Sequence, residues 1–259
     1  MRLNLTEAIL NIDHVRCIKG GLPVVDDVTM TVLSGSITTI VGPSGAGKTT
    51  LLRTINLLDR PIEGALFVEG VSVEFHSTLK GTKPGGLRWL RQKIGMVFQD
   101  FALWPHMTVL ENLIEAPVNL KRMSHHEAVQ RARVNCKKLG IEDKLNAYPD
   151  HLSGGQQQRV ALIRALMMDP KVLLIDEGTS ALDAEWTQGI GSFLQALALN
   201  GMTIVVVTHD LAFARQVATQ LIFMDKGQIV LQGAPKSFFS GQQANKRWSQ
   251  FLNEERTNA

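Results

Sequence analysis

The chain has 259 residues, of which 44% are hydrophobic and 20% charged, and its formal net charge is +3. The composition indicates a folded globular protein, and the scattered lysines and arginines argue against a nucleic-acid groove. No apolar run reaches the roughly 20 residues of a membrane-spanning helix, and the first residues lack the apolar core of a signal peptide. Cys17 and Cys136 make no metal-spaced pair. We therefore expect a cytoplasmic protein that contacts a membrane only through a partner.

The first part of the chain has the pattern of antiparallel strands. Residues 9–15 and 28–33 are apolar or alternating with β-branched content, and a glycine and proline turn lies between them at 19–23. Residues 37–41 form an apolar run that predicts a buried strand, and residues 49–58 carry leucines at helical spacing.

Between that strand and that helix, residues 41–50 read VGPSGAGKTT and satisfy the phosphate-loop pattern G-x-x-x-x-G-K-[ST]. The glycines let backbone N–H groups turn toward phosphate oxygens, and the helix N-terminus adds partial positive charge. Lys48 is expected to reach the outer phosphates, and the Thr49 hydroxyl to bind Mg²⁺. A glycine-rich turn that binds nothing is the alternative. The residues predicted to bind nucleotide here are Gly42, Pro43, Ser44, Gly45, Ala46, Gly47, Lys48, Thr49 and Thr50.

The middle of the chain predicts a strand followed by helices. Residues 65–75 alternate around a turn at 69–70 like a hairpin, residues 80–86 form a loop, and residues 94–98 read as a buried strand that ends at Gln99. A polar residue at such a strand end points into the ligand crevice of an open α/β sheet. From 108 to about 139 the pattern is helical, with breaks at Pro117 and near Ser124, which indicates an inserted helical subdomain.

The stretch LSGGQQQR at 152–159 opens a further helix. Ser153 is suited to cap it, and Gly154 and Gly155 expose its first amides, so a second anion site is predicted there. An ordinary capped helix is the alternative reading. The next strand, 172–175, ends in Asp176 and Glu177, a carboxylate pair that we expect to face Mg²⁺ and to activate a water.

The last third repeats the strand-end pattern. A polar turn at 180–183 precedes an amphipathic helix that ends near 199, and strand 203–207 ends at His209. The placement of His209 matches that of Gln99 and Glu177, so we expect it to be functional and not structural. A hairpin at 221–233, turning at 225–227, precedes a short helical tail.

With these residues in hand, the chain closely resembles the ATP-binding subunits of ABC transporters. Six motifs stand in that family's order: the phosphate loop, Gln99, the signature at 152–156, Asp176 with Glu177, the turn at 180–183, and His209. The resemblance implies an α/β fold of P-loop NTPase type, with a RecA-like mixed sheet, an N-terminal antiparallel β part and an inserted helical subdomain. It implies one domain over 1–259, with the ATP-binding core at 1–99 and 165–259 and the subdomain at 100–164.

The resemblance also implies the chemistry and the partners. Two subunits, either identical or similar, would pack head to tail and hold ATP between the phosphate loop of one and the signature of the other. Glu177 would polarise the attacking water, His209 would contact the γ-phosphate, and Gln99 would join Thr49 and Asp176 around Mg²⁺. The residues implied to complete the ATP site are Ser153, Gly154, Gly155, Gln156 and Asp183. The protein would sit on the cytoplasmic face of the membrane, on permease subunits, and serve an extracytoplasmic solute-binding protein indirectly, with no nucleic acid.

Within that family, residues 101–112 and 247–252 look like importers of polar amino acids. Methionine importers and lipoprotein-releasing exporters have much of the same sequence in these segments and remain alternatives. Soluble ABC ATPases that act on DNA or ribosomes carry coiled coils or two nucleotide domains, which this sequence lacks. A kinase built on the same loop would leave residues 153–156 without a role.

The chain departs from the family at two positions. Lys19 stands where the family usually has an aromatic residue that stacks on adenine, so weak discrimination between ATP and GTP is expected. Gly178 follows the predicted catalytic glutamate where the family favours proline, and glycine fixes the backbone less firmly than proline does.

Overall fold

The computed structural model describes residues 7–76, 83–121, 123–176, 184–239 and 245–258, which form two β-sheets flanked by helices. The strands are β1 (Ala8–Lys19), β2 (Leu22–Leu33), β3 (Ile37–Val41), β4 (Glu63–Val68), β5 (Val71–Ser72), β6 (Ile94–Val97), β7 (Val172–Asp176), β8 (Thr203–Val207), β9 (Gln220–Asp225) and β10 (Gln228–Gly233). The helices are α1 (Lys48–Ile55), α2 (Leu87–Lys93), α3 (Val109–Lys121), α4 (His125–Lys138), α5 (Gly154–Leu166), α6 (Ala184–Leu199), α7 (Leu211–Val217), α8 (Pro235–Phe239) and α9 (Lys246–Asn258).

The larger sheet has the strand order β10-β9-β3-β8-β7-β6. Its strands are parallel from β9 to β6, and only β10 pairs antiparallel, with β9. Every residue of β3, β7 and β8 is buried, as expected for strands covered on both faces. The carboxyl ends of β3, β8, β7 and β6 therefore lie side by side along one edge of the sheet.

The smaller sheet is antiparallel and has the order β2-β1-β4-β5. Strands β1 and β2 form a hairpin around Gly20 and Gly21. Four residues of β1, on either side of a register shift between Ile12 and Val15, are buried in a cluster shared with α1: Leu10, Ile12, Val15 and Cys17. Helix α1 also packs against β7 and β8, so it lies between the two sheets. The predicted mixed α/β fold with an N-terminal antiparallel part is confirmed.

Between β6 and β7 lie α3, α4 and α5, which pack on one another around Ala128, Ala132 and Cys136. Helix α5 runs from Gly154 to Leu166. The predicted break at Pro117 is wrong, because α3 runs through this buried proline. A proline removes one backbone hydrogen bond, and the apolar residues that α3 buries hold the rest of the helix in place.

Two further local features differ from the sequence expectations. Helix α2 was not predicted, because its seven residues follow a glycine-rich loop and are too few for a clear helical period. The C-terminal tail contains α9, a 13-residue helix, which is longer than the short tail expected. Among the described helices, none combines the length and the apolar character needed to cross a membrane.

Both cysteines are buried free thiols. Burial raises the pKa of the Cys17 thiol, which also lies 3.1 Å from the Thr54 hydroxyl. Burial raises the pKa of Cys136 to about 12. Neither thiol is therefore ionised near neutral pH.

Candidate functional site

The candidate site lies at the sheet edge formed by the carboxyl ends of the parallel strands. The phosphate loop follows β3, His209 comes after β8, Asp176 ends β7, and Gln99 comes after β6. Ligands of open α/β sheets bind outside the carboxyl ends of the strands. The topology thus brings four separately predicted groups to one edge.

The phosphate loop is fixed by close backbone contacts at two glycines. A Cβ atom at Gly42 would lie 2.0 Å from the carbonyl oxygen of Met224, and one at Gly47 would lie 2.2 Å from that of Val24. Gly47 has φ of 94°, in the left-handed region that favours glycine. Both positions exclude any side chain. The loop borders a cleft of ≈ 210 Å³ that is lined by Val24 and residues 44–50.

Lys48 begins α1 and is 6% exposed. Its ammonium donates hydrogen bonds to the carbonyl oxygens of Gly42 at 2.7 Å and Pro43 at 2.9 Å. These contacts hold a positive charge inside the loop that phosphates would occupy. The charge is thus placed for an anion before the anion arrives.

Thr49 and Asp176 meet beside the loop. The Thr49 hydroxyl donates to Asp176 Oδ1 at 2.8 Å, and Arg53 Nε lies 3.9 Å from Asp176 Oδ2. The Asp176 side chain is fully buried, and a buried carboxylate is costly unless a cation compensates it. No group of three His, Cys, Asp or Glu residues suited to a metal occurs in the described ranges. A hydroxyl and one carboxylate, completed by phosphate oxygens, fit Mg²⁺.

Gln99 and His209 are both exposed at the strand ends. The amide of Thr208, immediately before His209, donates to the carbonyl oxygen of Ile40 at 3.2 Å, which ties the end of β8 to the end of β3. Asp210 then caps α7 by accepting from the amide of Phe213. His209 is therefore held between two anchored residues. Glu177, Gly178 and Asp183 lie outside the described residues.

The signature residues form the start of α5. Ser153 Oγ accepts from the amide of Gln156 at 3.4 Å, and Gln156 Oε1 accepts from the amide of Ser153 at 3.0 Å, a reciprocal capping box. Helix α5 packs on α3, α4 and β6, and none of residues 153–156 lines the cleft at the phosphate loop. A single chain does not bring these two predicted anion sites together there.

Lys19 ends β1 and makes an ion pair, with its Nζ 2.7 Å from Asp59 Oδ2. The lysine side chain is 45% exposed, and Asp59 follows the C-terminal end of α1. No aromatic side chain lines the described cleft at the phosphate loop. At the position where the family usually has an aromatic residue, this chain thus has a lysine that joins the β1–β2 hairpin to the segment after α1 through an ion pair.

Two residues that the sequence analysis did not select hold the loop after Gln99. Asn112 is fully buried; its Oδ1 accepts from the amide of Trp104, and its Nδ2 lies within 3.1 Å of the carbonyl oxygens of Trp104, Met107 and Thr108. In the sequence, Asn112 is recognisable as a polar residue among the apolar residues of the first turns of α3, and this position could have indicated a buried structural role. One side chain thereby closes the loop at 104–108.

Arg164 holds the same loop from α5. Its guanidinium donates to the carbonyl oxygens of Phe101 at 2.9 Å and Ala102 at 2.7 Å, and it lies 5.4 Å from the centre of the Trp104 ring. Phe101 and Ala102 have φ of 60° and 44°, a strained conformation for residues other than glycine. Desolvation lowers the pKa of Arg164. The helix that begins at Ser153 is thereby joined to the loop after Gln99.

The amino-acid sequence is similar to those of known proteins. The family described as ABC transporter matches residues 25–180. The glutamine transport ATP-binding protein GlnQ of Geobacillus stearothermophilus is 47% identical over 221 residues, 85% of this chain and 88% of that protein. The histidine/lysine/arginine/ornithine transport ATP-binding protein HisP of Salmonella typhimurium is 45% identical over 238 residues, 90% of this chain and 92% of that protein.

The fold is also similar to that of a solved nucleotide-binding protein. A dimeric structure of the ATP-binding cassette MJ0796, in a post-hydrolysis state with ADP and Pi, has a TM-score of 0.79 and 34% sequence identity. The alignment covers 87% of this chain and 98% of that one. The likeness therefore extends over nearly the whole of a nucleotide-binding protein.

Proposed function

Because this chain belongs to the ABC transporter family, we propose that it is the ATP-hydrolysing subunit of an importer for a polar amino acid. The proposal rests on one observation: four predicted groups lie side by side along one edge of the larger sheet, namely the phosphate loop, His209, Asp176 and Gln99. The names of GlnQ and HisP, which refer to glutamine and to histidine, lysine, arginine and ornithine, support the solute class. The protein works at the cytoplasmic face of the membrane, on permease subunits.

The phosphate loop binds the triphosphate. Lys48 exchanges one of its contacts with the carbonyl oxygens of Gly42 and Pro43 for phosphate oxygens. The amides of the loop add hydrogen bonds whose direction is set by the glycine backbone. These charges offset the negative charge that develops during phosphoryl transfer.

Thr49, Asp176 and Gln99 are the residues that would hold Mg²⁺. Bound there, the metal would neutralise phosphate charge and orient the terminal phosphoryl group. Thr49 and Asp176 already share a hydrogen bond of 2.8 Å, so their oxygens lie close enough to face one ion. Glu177, the residue after Asp176, is the proposed general base, and His209 is the proposed contact to the γ-phosphate.

A second subunit completes the site. Ser153, Gly154, Gly155 and Gln156 begin α5 away from the cleft of their own chain, so we assign them, with Asp183, to the nucleotide held by a partner subunit. The dimeric state given for the similar cassette MJ0796 supports this assembly. ATP binding then closes the dimer, and hydrolysis of ATP, with Glu177 as the general base, reopens it.

The dimer is tested with Glu177→Gln, which keeps the shape of the base but removes its charge. This variant is expected to bind ATP, to hydrolyse it very slowly and to elute as a dimer in gel filtration with Mg-ATP. Adding Ser153→Arg should abolish the dimer, because the new side chain fills the anion site of α5. Ser124→Arg is the matched control, since the Ser124 side chain also caps a helix, by accepting from the amide of Glu127 at the start of α4, but lies outside the signature. Dimers that persist with Ser153→Arg would contradict the assignment.

The permease is expected to dock on residues 101–112. This segment exposes Trp104 at 38% and carries the partly buried apolar residues Phe101 and Leu103. Apolar surface of this kind often marks an interaction site. A cysteine introduced at Leu103 should crosslink to a cytoplasmic segment of the permease in an assembled, active transporter, and failure to crosslink would exclude this surface.

The solute class is tested in the assembled transporter. Purification from mild detergent, followed by mass spectrometry of the co-purifying membrane chain, identifies the permease. Uptake of radiolabelled amino acids by vesicles that contain the complex should depend on ATP and should be lost with Glu177→Gln. Uptake of methionine alone, or release of lipoprotein, would replace the proposed solute with one of the alternatives.

A further inference from the structure

The C-terminal helix α9 packs on the strand that borders the phosphate loop. Trp248 of α9 is 1% exposed, and its indole nitrogen donates to the carbonyl oxygen of Phe238 at 2.9 Å. The Trp248 ring lies 5.1 Å from the ring of Phe223 in β9. Phe223 in turn pairs with Val41, the residue before Gly42. The tail is therefore part of the core that supports the nucleotide site.

An ion pair links this helix to the end of β9. Arg247 Nε donates to Asp225 Oδ2 at 2.7 Å, and the Asp225 side chain is only 12% exposed. A second nitrogen of Arg247 lies 3.4 Å from Glu254 of the same helix, whose side chain is 50% exposed. The two contacts of Arg247 thus differ: one reaches a largely buried carboxylate at a turn of the sheet, and the other stays on the surface of α9.

The turn that Asp225 begins lies directly behind the phosphate loop. Lys226 and Gly227 have φ of 48° and 81°, the conformation of a tight hairpin turn between β9 and β10. The Gly227 amide donates to the carbonyl oxygen of Ala46 at 3.0 Å, and the Gly227 carbonyl oxygen accepts from the amide of Asp26 at 2.9 Å. The close approach of Gly42 to Met224 is made by the same strand end. The phosphate loop therefore rests on this turn.

We propose that Arg247 is a positioning residue for the nucleotide site, which acts through Asp225 and the turn at 225–228 on the carbonyl of Ala46. The contacts run without a gap from α9 to the phosphate loop. Arg247 does not line the cleft at the phosphate loop. It fixes the surface against which the loop amides are aligned. This inference rests on the proposed binding of nucleotide triphosphate at that loop.

The test is nucleotide affinity, measured by equilibrium titration of the full chain with Mg-ATP, Mg-GTP and Mg-ADP. Arg247→Gln should weaken all three by a similar factor of about three to ten, because a charge-assisted hydrogen bond is lost and the base is not involved. The rate at saturating ATP should change less than KM does. Asp225→Asn should have the same effect, the double variant should add little, and Arg247→Lys should restore part of the affinity.

Glu254→Gln is the matched control, since it removes the other ion pair of Arg247 without touching the turn. It should leave all three affinities unchanged, and thermal unfolding of each variant reports any general loss of stability. The inference is overturned if Arg247→Gln and Asp225→Asn bind nucleotides as the unaltered protein does, or if Glu254→Gln weakens binding equally. If Arg247→Gln does not fold, Arg247→Lys and Asp225→Asn decide the result. Failure of the unaltered protein to bind ATP would instead refute the proposed function.

Discussion

The phosphate loop and the loop after Gln99 lie at the same edge of one sheet but are held in different ways. The phosphate loop is enclosed by backbone atoms of Val24, Met224 and Gly227, which leave no room for a side chain at Gly42 or Gly47. The loop at 99–108 is held instead by two side chains, Asn112 and Arg164. Backbone enclosure gives a site that is formed before its ligand binds, whereas side-chain contacts can be exchanged one at a time when a partner docks.

The largest effect is expected from breaking the backbone enclosure. In Gly42→Ala the new methyl group would lie 2.0 Å from the carbonyl oxygen of Met224, so the loop must move. We expect ATP affinity to fall by about 100-fold or more, equivalent to about 3 kcal/mol. Gly70→Ala is the control, because Gly70 also has a positive φ, 73°, but no atom lies within 4 Å of its added Cβ. It should cost about 1 kcal/mol of stability and leave ATP affinity unchanged.

The side-chain-held loop is broken by Asn112→Ala. The substitution removes hydrogen bonds to the backbone of residues 104, 107 and 108 at a fully buried position, so it should lower the free energy of unfolding by about 2–3 kcal/mol. ATP binding by the isolated chain should be retained, while transport by the assembled complex falls. Asn119→Ala is the control, because Asn119 is exposed and bonds to Glu115 on the same helix. Equal urea midpoints for the two variants would contradict this role of Asn112.

Lys19→Tyr tests whether the pre-formed part of the site extends from the phosphates to the base. The family resemblance places a ring on adenine here, and base stacking contributes about 1–3 kcal/mol, so ATP should bind between a few-fold and about 100-fold more tightly. The unaltered protein should discriminate weakly between ATP and GTP. Asp59→Asn frees Lys19 from its ion pair without adding a ring, so it should not tighten binding. A strong ATP preference that the tyrosine leaves unchanged would show that another residue holds the base.

The smallest effect is expected at Asp169, which joins the helices of the 109–166 region. Hydrogen bonds from Arg131 and Lys121 lower the pKa of Asp169 to about 2. A lowered folded-state pKa stabilises the protein above the unfolded value near 4. This stabilisation is lost as the pH falls from about 4 to about 2. Because the carboxylate is largely exposed, Asp169→Asn should cost only about 0.5–1 kcal/mol at pH 7. Unfolding curves of the two proteins should converge below about pH 2, where Asp169 is protonated in the folded protein as well.

The sequence predicted those parts of the site that are encoded locally. The phosphate loop, the strand ends at Asp176 and His209, and the capping of α5 by Ser153 each depend on residues within a few positions of one another. Arg164 could not be found in this way, since its partner Phe101 lies 63 positions earlier in the chain. The contact between Gly227 and Ala46 likewise depends on how β9 pairs with β3, which no local pattern specifies.

Local patterns also failed where tertiary packing overrides them. Pro117 is a helix breaker by its chemistry, yet α3 buries Val109, Leu113 and Ile114 around it and continues. Helix α2 buries only Leu87 and Leu90, too short a pattern to distinguish from a loop. In both cases the outcome depends on the neighbouring surface, which the sequence does not display.

The burial of both thiols has a practical consequence for labelling. Maleimides and disulfide crosslinkers react with exposed thiolates, and Cys17 and Cys136 are buried with raised pKa values. A cysteine placed at an exposed position of the folded protein should therefore be the one that reacts at neutral pH, with both native thiols left in the chain. Fluorophore or spin-label pairs can thus test the proposed closing and reopening of a dimer without a cysteine-free background.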